Sequence, residues 1–222
     1  MAPVAVAPRG TSGALASSNS HVIAMPASAT TARGVLVVFS YDSALTATVS
    51  GTGWTEIAEQ AAAAMGSVLA YKRPGVTLAT LTIGLSAAEE GTYVVLAFDD
   101  ALASENVTAT AATGAASNPD CPAHTPPGGS RDYLWVVAHC VEATNVATAA
   151  PTGYSNLTSS TGGASGASTA TAERALTAAT EDPGTWTAPS DDYVTWTIAV
   201  PPAVVAPPAG SVAQTRAMLG LL

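Results

Sequence analysis

The side chains most able to do chemistry lie in one stretch of the chain, NPDCPAHTPPGGSRDYLWVVAHC, residues 118–140. It holds both cysteines, Cys121 and Cys140, together with His124 and His139. Cysteine and histidine are the usual ligands of zinc, and a cysteine beside a histidine can also act as a nucleophile. The stretch is therefore a candidate for a metal site and for a catalytic pair.

Strand geometry argues against both kinds of site. The run DYLWVVAHC has the composition of a buried strand, and neighbouring residues of a strand point to opposite faces. His139 and Cys140 are neighbours, so the four side chains do not converge without a bulge. A cysteine close to a histidine in sequence is also no catalytic pattern by itself. We predict a turn that leads into a core strand, with no catalytic residue, no metal ligand and no cofactor.

The carboxylates give no clearer sign of an active site. A glycosidase needs two carboxylates that face each other across a cleft, whereas adjacent carboxylates in β structure diverge. We therefore expect the acidic doublets to be structural: Glu89-Glu90, Asp99-Asp100 and Asp191-Asp192.

Composition limits the partners. The 222 residues are 48% hydrophobic and 10% charged, which is typical of a globular domain. The net charge is −9 with only seven lysines and arginines, and nucleic-acid binding needs a clustered basic surface. No apolar run approaches the roughly 20 residues that cross a bilayer, and the opening MAPVAVAPRG lacks the basic start of a secretion signal. We expect a soluble protein with neither nucleic acid nor membrane as a partner.

The sequence contains an internal repeat. PASATTARGVLVVFS and PPGGSRDYLWVVAHC both place a proline, a polar turn and an arginine before an apolar strand. Shared β-sandwich patterning could imitate one or two such matches, but four recur in the same order. Their spacing is 100 to 102 residues: Pro26 and Pro126, Trp54 and Tyr154, Arg73 and Arg174, and Phe98 and Val200.

Each half predicts about five short strands separated by turns. In DYVTWTIAV the alternation places Val194, Trp196, Ile198 and Val200 on one face, which we expect to be buried. Only TEIAEQAAAAMG has helical character, and a strand followed by a turn fits it equally well. We predict an all-β, antiparallel, jelly-roll-like sandwich at residues 20–200, with repeat halves 20–117 and 118–200. Because each half alone has few aromatics, we expect one shared sandwich.

The aromatic side chains have two interpretations. Trp54, Tyr154, Trp186 and Trp196 could form a platform on which sugars stack, as in a carbohydrate-binding module. Trp54 and Tyr154 stand at equivalent places in the repeat, which favours core packing instead. We predict that the structural core includes Trp54, Trp135, Tyr154 and Trp196.

Two segments lie outside the repeat. Residues 1–19 form an apolar arm interrupted by prolines, and residues 201–222 form a Pro-rich arm that ends in a short apolar peptide. Pro-rich segments are extended and bury little surface within their own domain, so we expect both arms to contact neighbouring subunits. The candidate assembly contacts are Val4, Val6, Val204, Val205, Met218, Leu219, Leu221 and Leu222.

Four segments together resemble a family. NPDCPAHTPPGGSRDYLWVVA, AMPASATTARGVLVVFS with GTGWTEI, and EDPGTWTAPSDDYVTWTIAV are similar to small β-sandwich virion proteins encoded by tailed bacteriophages. The resemblance covers about residues 20–200, and its motifs are structural. The chain departs from the family pattern at Cys121, where proline or a small residue is usual, and in the segment after Pro202.

The resemblance implies a structural role in a virus particle. The leading expectation is a non-enzymatic capsid decoration or cement protein that binds the major capsid protein lattice, or other virion proteins, as a homo-oligomer. A tail or fibre component and a carbohydrate-binding sandwich are the alternatives. A virion location, on the capsid surface first and the tail second, follows from the same resemblance.

Overall fold

The described chain consists of β-strands and the loops between them. A computed structural model describes residues 1–5, 11–102, 105–142, 144–163 and 166–203, and these residues contain no helix. The first seven strands are β1 (Val4–Ala5), β2 (Thr11–Ile23), β3 (Gly34–Asp42), β4 (Ala47–Ser50), β5 (Thr55–Ala61), β6 (Met65–Lys72) and β7 (Leu81–Asp99). The next seven are β8 (Thr108–Ala116), β9 (Asp120–Cys121), β10 (Arg131–Glu142), β11 (Ser155–Thr161), β12 (Ala167–Ala178), β13 (Gly184–Thr185) and β14 (Asp191–Val200).

Two antiparallel sheets pack against each other. Sheet 1 has the order β1-β7-β3-β6-β5, and β2 and β4 also pair with β7. Sheet 2 has the order β11-β12-β10-β14-β8, while β9 and β13 form a separate two-stranded ladder. The predicted all-β antiparallel sandwich is confirmed. In a strict jelly roll the chain alternates between the two sheets, whereas here the chain forms β1 to β7 of sheet 1 before it forms the strands of sheet 2.

One hydrophobic core lies between the sheets. Leu36 and Val38 of β3 belong to the same buried cluster as Val136 of β10 and Trp196 and Ile198 of β14. Each of these side chains is at most 1% exposed. The inward face predicted for the last strand is therefore confirmed, and so is the expectation of one shared sandwich.

A chain of polar side chains joins the two sheets at the middle of this core. The hydroxyls of Ser40 and Thr92 in sheet 1 are hydrogen-bonded to the Thr169 hydroxyl in sheet 2. Beside them, the Ser67 hydroxyl in sheet 1 contacts Cys140 Sγ at 3.3 Å and accepts a hydrogen bond from Trp196 Nε1 at 3.1 Å. Buried polar groups have to find partners, so these bonds favour a single alignment of the sheets.

Both sheets carry a second layer on their outer faces. Leu81 and Ile83, in the first part of the long strand β7, pack with Val37 and Phe39 of β3. On sheet 2, the segments around β9 and β13 bring Cys121 and Trp186 against Val137 of β10. Central strands covered on both faces need apolar residues at successive positions, which explains the unbroken run GVLVVFSY.

A buried lysine holds the loops at one end of sheet 1. The Lys72 side chain is fully buried, and its ammonium nitrogen lies within 3.2 Å of four backbone carbonyl oxygens that share its three N–H donors. Burial lowers the pKa of this amine. The carbonyls of Thr30 and Thr31 lie in the loop before β3, and those of Arg73 and Val76 lie in the loop after β6. One side chain therefore ties these two loops together.

The two sheets share one strand order. From one edge to the other, five strands of sheet 1 have the order β2-β7-β3-β6-β5, and those of sheet 2 have the order β8-β14-β10-β12-β11. Strands at equivalent positions in the two sheets also follow one another in the same order along the chain. Tyr93 of β7 pairs with Gly13 of β2, and Tyr193 of β14 pairs with Gly114 of β8. A Cβ on either glycine would lie within 2.8 Å of the tyrosine hydroxyl, so each ring covers its glycine closely.

Several boundaries differ from those expected. Residues 11–19, expected in the N-terminal arm, belong to β2 and pair with β7 of the same chain. The segment TEIAEQA is strand β5, so its helical alternative is wrong. Residues 108–116, assigned to the first repeat half with no strand predicted, form β8 and pair with β14, so the chain passes from sheet 1 to sheet 2 before residue 108. Of the C-terminal arm, only residues 201–203 are described.

Candidate interaction surfaces

The four side chains of the Cys/His stretch are dispersed over two sides of sheet 2. Cys140 points into the shared core towards Ser67, whereas His139 points outward, with its ring 5.9 Å from that of Trp186. Cys121 lies in the outer layer, where its Sγ accepts a hydrogen bond from Trp186 Nε1 at 3.1 Å. Among the described residues, no group of three or more His, Cys, Asp or Glu side chains is arranged to hold a metal.

Burial makes these groups poor reagents. It raises the pKa of the Cys140 thiol to about 12 and also raises the pKa of the Cys121 thiol. It lowers the pKa of His139 to about 4, with the Asp191 carboxylate opposing the shift. A thiolate is the reactive form of cysteine, so neither thiol is poised as a nucleophile at neutral pH.

We expect both thiols to be unreactive towards Ellman's reagent while the protein is folded. Their solvent exposure is 0% and their thiolate fraction is small, so modification should be at least about a thousandfold slower than in denaturant. Absorbance of the released thionitrobenzoate measures both rates. Rapid modification of one thiol in the native protein would show that its site opens.

His124 and Glu181 lie close together, but each side chain has its own partners. Their backbones form a two-way bridge, with N···O distances of 2.9 and 3.0 Å. The His124 ring is hydrogen-bonded to the hydroxyls of Thr108 and Thr110 at 2.9 and 2.8 Å. Burial lowers the pKa of this histidine. The His124 ring therefore has a structural role, because its hydrogen bonds join the outer layer to β8.

The Glu181 carboxylate is the centre of a second buried polar group. It accepts hydrogen bonds from Arg174 at 3.1 Å and from the Tyr154 hydroxyl at 3.2 Å. Burial, with the Glu181 charge as the next cause, raises the pKa of Tyr154. Sequence patterns gave no sign of this group, because its members lie on three separate segments.

The acidic doublets have local partners as well. Asp99 accepts a hydrogen bond from Arg33 Nε at 2.7 Å, and Asp191 accepts one from the Asn145 amide at 2.8 Å. Glu89 accepts a hydrogen bond from the Ser43 hydroxyl at 3.1 Å. These contacts close loops onto strand ends and leave no pair of carboxylates arranged across a described cleft.

The aromatic side chains do not form a shared platform. Trp135, Trp186 and Trp196 are at most 1% exposed. Trp54 is half-buried on the outer face of sheet 1, where its Nε1 donates to the Ala79 carbonyl at 3.0 Å. Tyr154 is half-buried on the outer face of sheet 2. Of the four predicted core residues, Trp135 and Trp196 are buried, while Trp54 and Tyr154 are partly buried on different faces.

The candidate assembly contacts in the arms are described only in part. Val4 lies in β1, pairs with Asp99 and is 49% exposed. The remaining candidates lie outside the described residues: Val6, Val204, Val205, Met218, Leu219, Leu221 and Leu222.

Both ends of the described chain meet at one end of the sandwich. β1 pairs with Phe98 and Asp99 at the end of β7. Directly after them, the backbone carbonyl of Asp100 accepts a hydrogen bond from the Ala203 amide at 2.6 Å, and Ala101 forms a bridge with Pro202. Ala203 therefore lies beside the N-terminal strand.

The strand edges are the other exposed backbone feature. Sheet 2 ends at β8 on one side and β11 on the other, and β5 is the edge of sheet 1 on the side of β8. β8 escaped sequence-based prediction because TATAATGAA is rich in alanine, which strands disfavour. A signal was present, since Gly114 lies 101 residues after Gly13 and Tyr193 lies 100 residues after Tyr93.

This geometry defines an antiparallel β-sandwich protein in which the cysteine and histidine side chains of the described residues are individually buried. No helix long and apolar enough to cross a membrane occurs in the described residues. Comparison of the chain with protein-family models, curated proteins and solved structures finds no match.

Proposed function

We propose that the protein is a non-enzymatic structural component of a tailed-phage virion, and specifically a capsid decoration protein that binds the major capsid lattice. The observation that carries the proposal is the meeting of both described chain ends at Asp99–Ala101. A rigid sandwich with its connecting segments at one end is suited to attachment to a larger assembly.

The segment after Ala203 supplies the attachment. Its sequence, VVAPPAGSVAQTRAMLGLL, combines a Pro-rich spacer with an apolar peptide. A peptide fastened to a sandwich that already contacts the lattice binds a neighbouring subunit at high effective concentration. Two weak contacts on one chain then give stable attachment without a large interface.

Removal of residues 204–222 tests this function. Ala203 stays in place, because its amide bonds to Asp100 and closes the end of the sandwich. We expect the shortened protein to fold normally and to be absent from purified particles. A variant with a Gly/Ser segment of equal length in place of residues 204–222 is the matched control, and it should also fail to join particles. Normal incorporation of either variant contradicts the proposal.

Cryo-electron microscopy of particles that contain the chain shows where on the particle the protein lies. Density for the sandwich on the capsid lattice, with the C-terminal segment on a neighbour, supports the decoration role. Density on the tail or a fibre keeps the structural class and corrects the location.

We also infer that the two halves descend from one duplicated sandwich half. The shared strand order and the two glycine–tyrosine pairs support this origin, together with the repeated sequence landmarks. In the core, Ser40 contacts Thr169 and Ser67 contacts Cys140, while Ser40 pairs with Ser67 and Cys140 with Thr169 within the sheets. If Ser40 corresponds to Cys140 and Ser67 corresponds to Thr169, exchange of the two halves turns the Ser40–Thr169 contact into the Cys140–Ser67 contact. This relation is expected if two identical copies once packed face to face.

A further inference from the structure

Strand β8 presents a long and regular free edge. Its nine residues pair with β14 without a register shift, from Thr108 opposite Ala199 to Ala116 opposite Asp191. Its sequence, TATAATGAA, contains no charged residue and no proline. Among the described residues, β8 forms no strand pairing other than that with β14. The backbone groups on its other side are therefore open to a further strand.

The other outer strands carry features that discourage strand addition. β2 has two register shifts in its pairing with β7, and β11 has one in its pairing with β12. β5 has a register shift after Glu56 and a second acidic residue, Glu59. Bulges and charges are the usual means by which natural proteins protect sheet edges from further pairing. β8 has neither.

The shared core is also less well covered on the side of β8. Strand β5 of sheet 1 contacts β8 of sheet 2 on this flank. The hydrophobic residues that pack against the shared core but remain partly exposed all lie here, on β5, on β8 or in the turn after β5: Ile57, Ala58, Ala62, Ala109 and Ala111. On the opposite flank, the Ser12 hydroxyl of β2 donates a hydrogen bond to the Ser159 carbonyl of β11 at 3.1 Å. The flank of β5 and β8 thus leaves apolar residues of the core partly exposed, whereas a hydrogen bond joins the two sheets on the opposite flank.

We propose that β8 pairs antiparallel with β8 of a second copy of this chain, across a two-fold axis. The two copies of sheet 2 then form one continuous sheet, and the partly exposed apolar residues of the β5/β8 flank lie beside the interface. This inference concerns the free protein in solution and does not depend on a location in a virion.

The lack of charge on β8 favours a second copy of the chain as the occupant. The chain has a net charge of −9, so two copies repel each other over most of their surfaces. An uncharged edge is where such copies approach with the least repulsion, whereas a basic partner would be drawn to the acidic surface elsewhere. Pairing of all nine residues places Ala112 on the two-fold axis, so that only Ala, Thr and Gly residues face one another across it. No like charges come together on the paired strands.

Sedimentation velocity of the purified full-length chain tests the proposal. We expect a monomer–dimer equilibrium between about 1 and 100 µM, and we expect the dimer to strengthen with salt as the repulsion is screened. Amide hydrogen exchange at the two ends of this range should show protection of residues 108–116 that rises with concentration. A monomer at every concentration overturns the proposal.

A pair of charge variants tests the site. Thr113 is an exposed residue of β8, and Thr113→Lys places two like charges near the axis. We expect dimerisation to weaken at least about tenfold, and we expect the same of Thr113→Glu. A mixture of the two variants should associate again, because opposite charges then face each other. Loss of the dimer through misfolding would not be reversed by mixing.

Thr161→Lys is the matched control, since Thr161 is an exposed threonine on β11, the other edge of the same sheet. It should leave the dimer unchanged. A dimer that survives Thr113→Lys but is weakened by Thr161→Lys would place the interface at β11 and overturn the proposal. Particle incorporation does not enter this test, so failure of the virion function and failure of the dimer are separate results.

Discussion

Replacement of Trp196 by alanine is expected to lower the free energy of unfolding by about 4 kcal/mol, which is the usual cost of removing a large aromatic side chain from a core. The indole is 1% exposed and lies on β14 between the two sheets. Its Nε1 donates to Ser67 of β6 in the facing sheet. The substitution therefore removes packing and a hydrogen bond that both halves of the chain share.

Urea denaturation followed by far-ultraviolet circular dichroism measures this loss. Because the core is common to both sheets, we expect one cooperative transition that moves as a whole to lower urea concentration. Two separate transitions, with only one displaced, would show that the halves unfold independently and would contradict a shared core.

Two further substitutions test how much of this loss of stability comes from the hydrogen bond of Trp196 and how much from its position in the shared core. Trp196→Phe keeps most of the volume and removes the hydrogen bond to Ser67, so it should cost about 1–2 kcal/mol. Trp54→Ala removes an indole that is only half-buried on an outer face, so it should cost clearly less than Trp196→Ala. Equal losses for Trp54→Ala and Trp196→Ala would show that position in the shared core does not set the cost.

Replacement of His139 by phenylalanine is expected to remove much of the acid sensitivity of the fold. The His139 side chain is 1% exposed beside Trp186, and burial lowers its pKa from 6.5 to about 4. Below pH 6.5 the unfolded chain binds a proton at this residue, whereas the folded chain stays neutral there until about pH 4. The unfolded state therefore gains free energy as the pH falls through this window, and the native protein loses about 3 kcal/mol of stability.

Unfolding free energies measured at several pH values between 7.5 and 4, which span the two pKa values of His139, test this expectation. The difference between His139→Phe and the parent protein should be constant above pH 6.5 and should grow in favour of the variant as the pH falls. Burial also lowers the pKa values of His21 and His124, so both proteins keep some acid sensitivity. A difference that does not change with pH would show that His139 has the same pKa in the folded and unfolded states.

Phenylalanine is a suitable substitute because Phe39 occupies the corresponding place in sheet 1. Phe39 of β3 lies 100 residues before His139 of β10, and both point to the outer faces of their sheets. His139→Asn keeps polarity without the titration and is the control for packing. It should be less stable than the phenylalanine variant at neutral pH, yet equally free of the additional loss in acid.

Much of the fold could be predicted from local patterns. The apolar runs that became β3, β6, β10 and β14 each have a strand composition, and the alternation in DYVTWTIAV identified the buried face of Trp196. The adjacency of His139 and Cys140 was enough to predict that their side chains point apart, because alternation along a strand is a local property. These features need no knowledge of distant contacts.

The elements that escaped prediction are those whose identity depends on a partner strand. β8 has an alanine-rich sequence with little strand propensity, and its pairing with β14 makes it a strand. Residues 11–19 resemble an arm when taken alone, but β7 offers them a free edge to pair with. The Tyr154–Glu181–Arg174 group could not be predicted either, since two loop residues meet a residue of β12 only in the folded chain.

By itself, the sequence determined an all-β, antiparallel sandwich, because alternation and composition act within single strands. Only the tertiary structure decided which strands lie at the edges, where the two chain ends meet and which flank of the core stays apolar and open. The physical reason is that a strand edge is defined by the hydrogen bonds left unmade after all other strands have paired. Which backbone groups stay unpaired is therefore a property of the assembled sheets, and no local segment of the sequence specifies it.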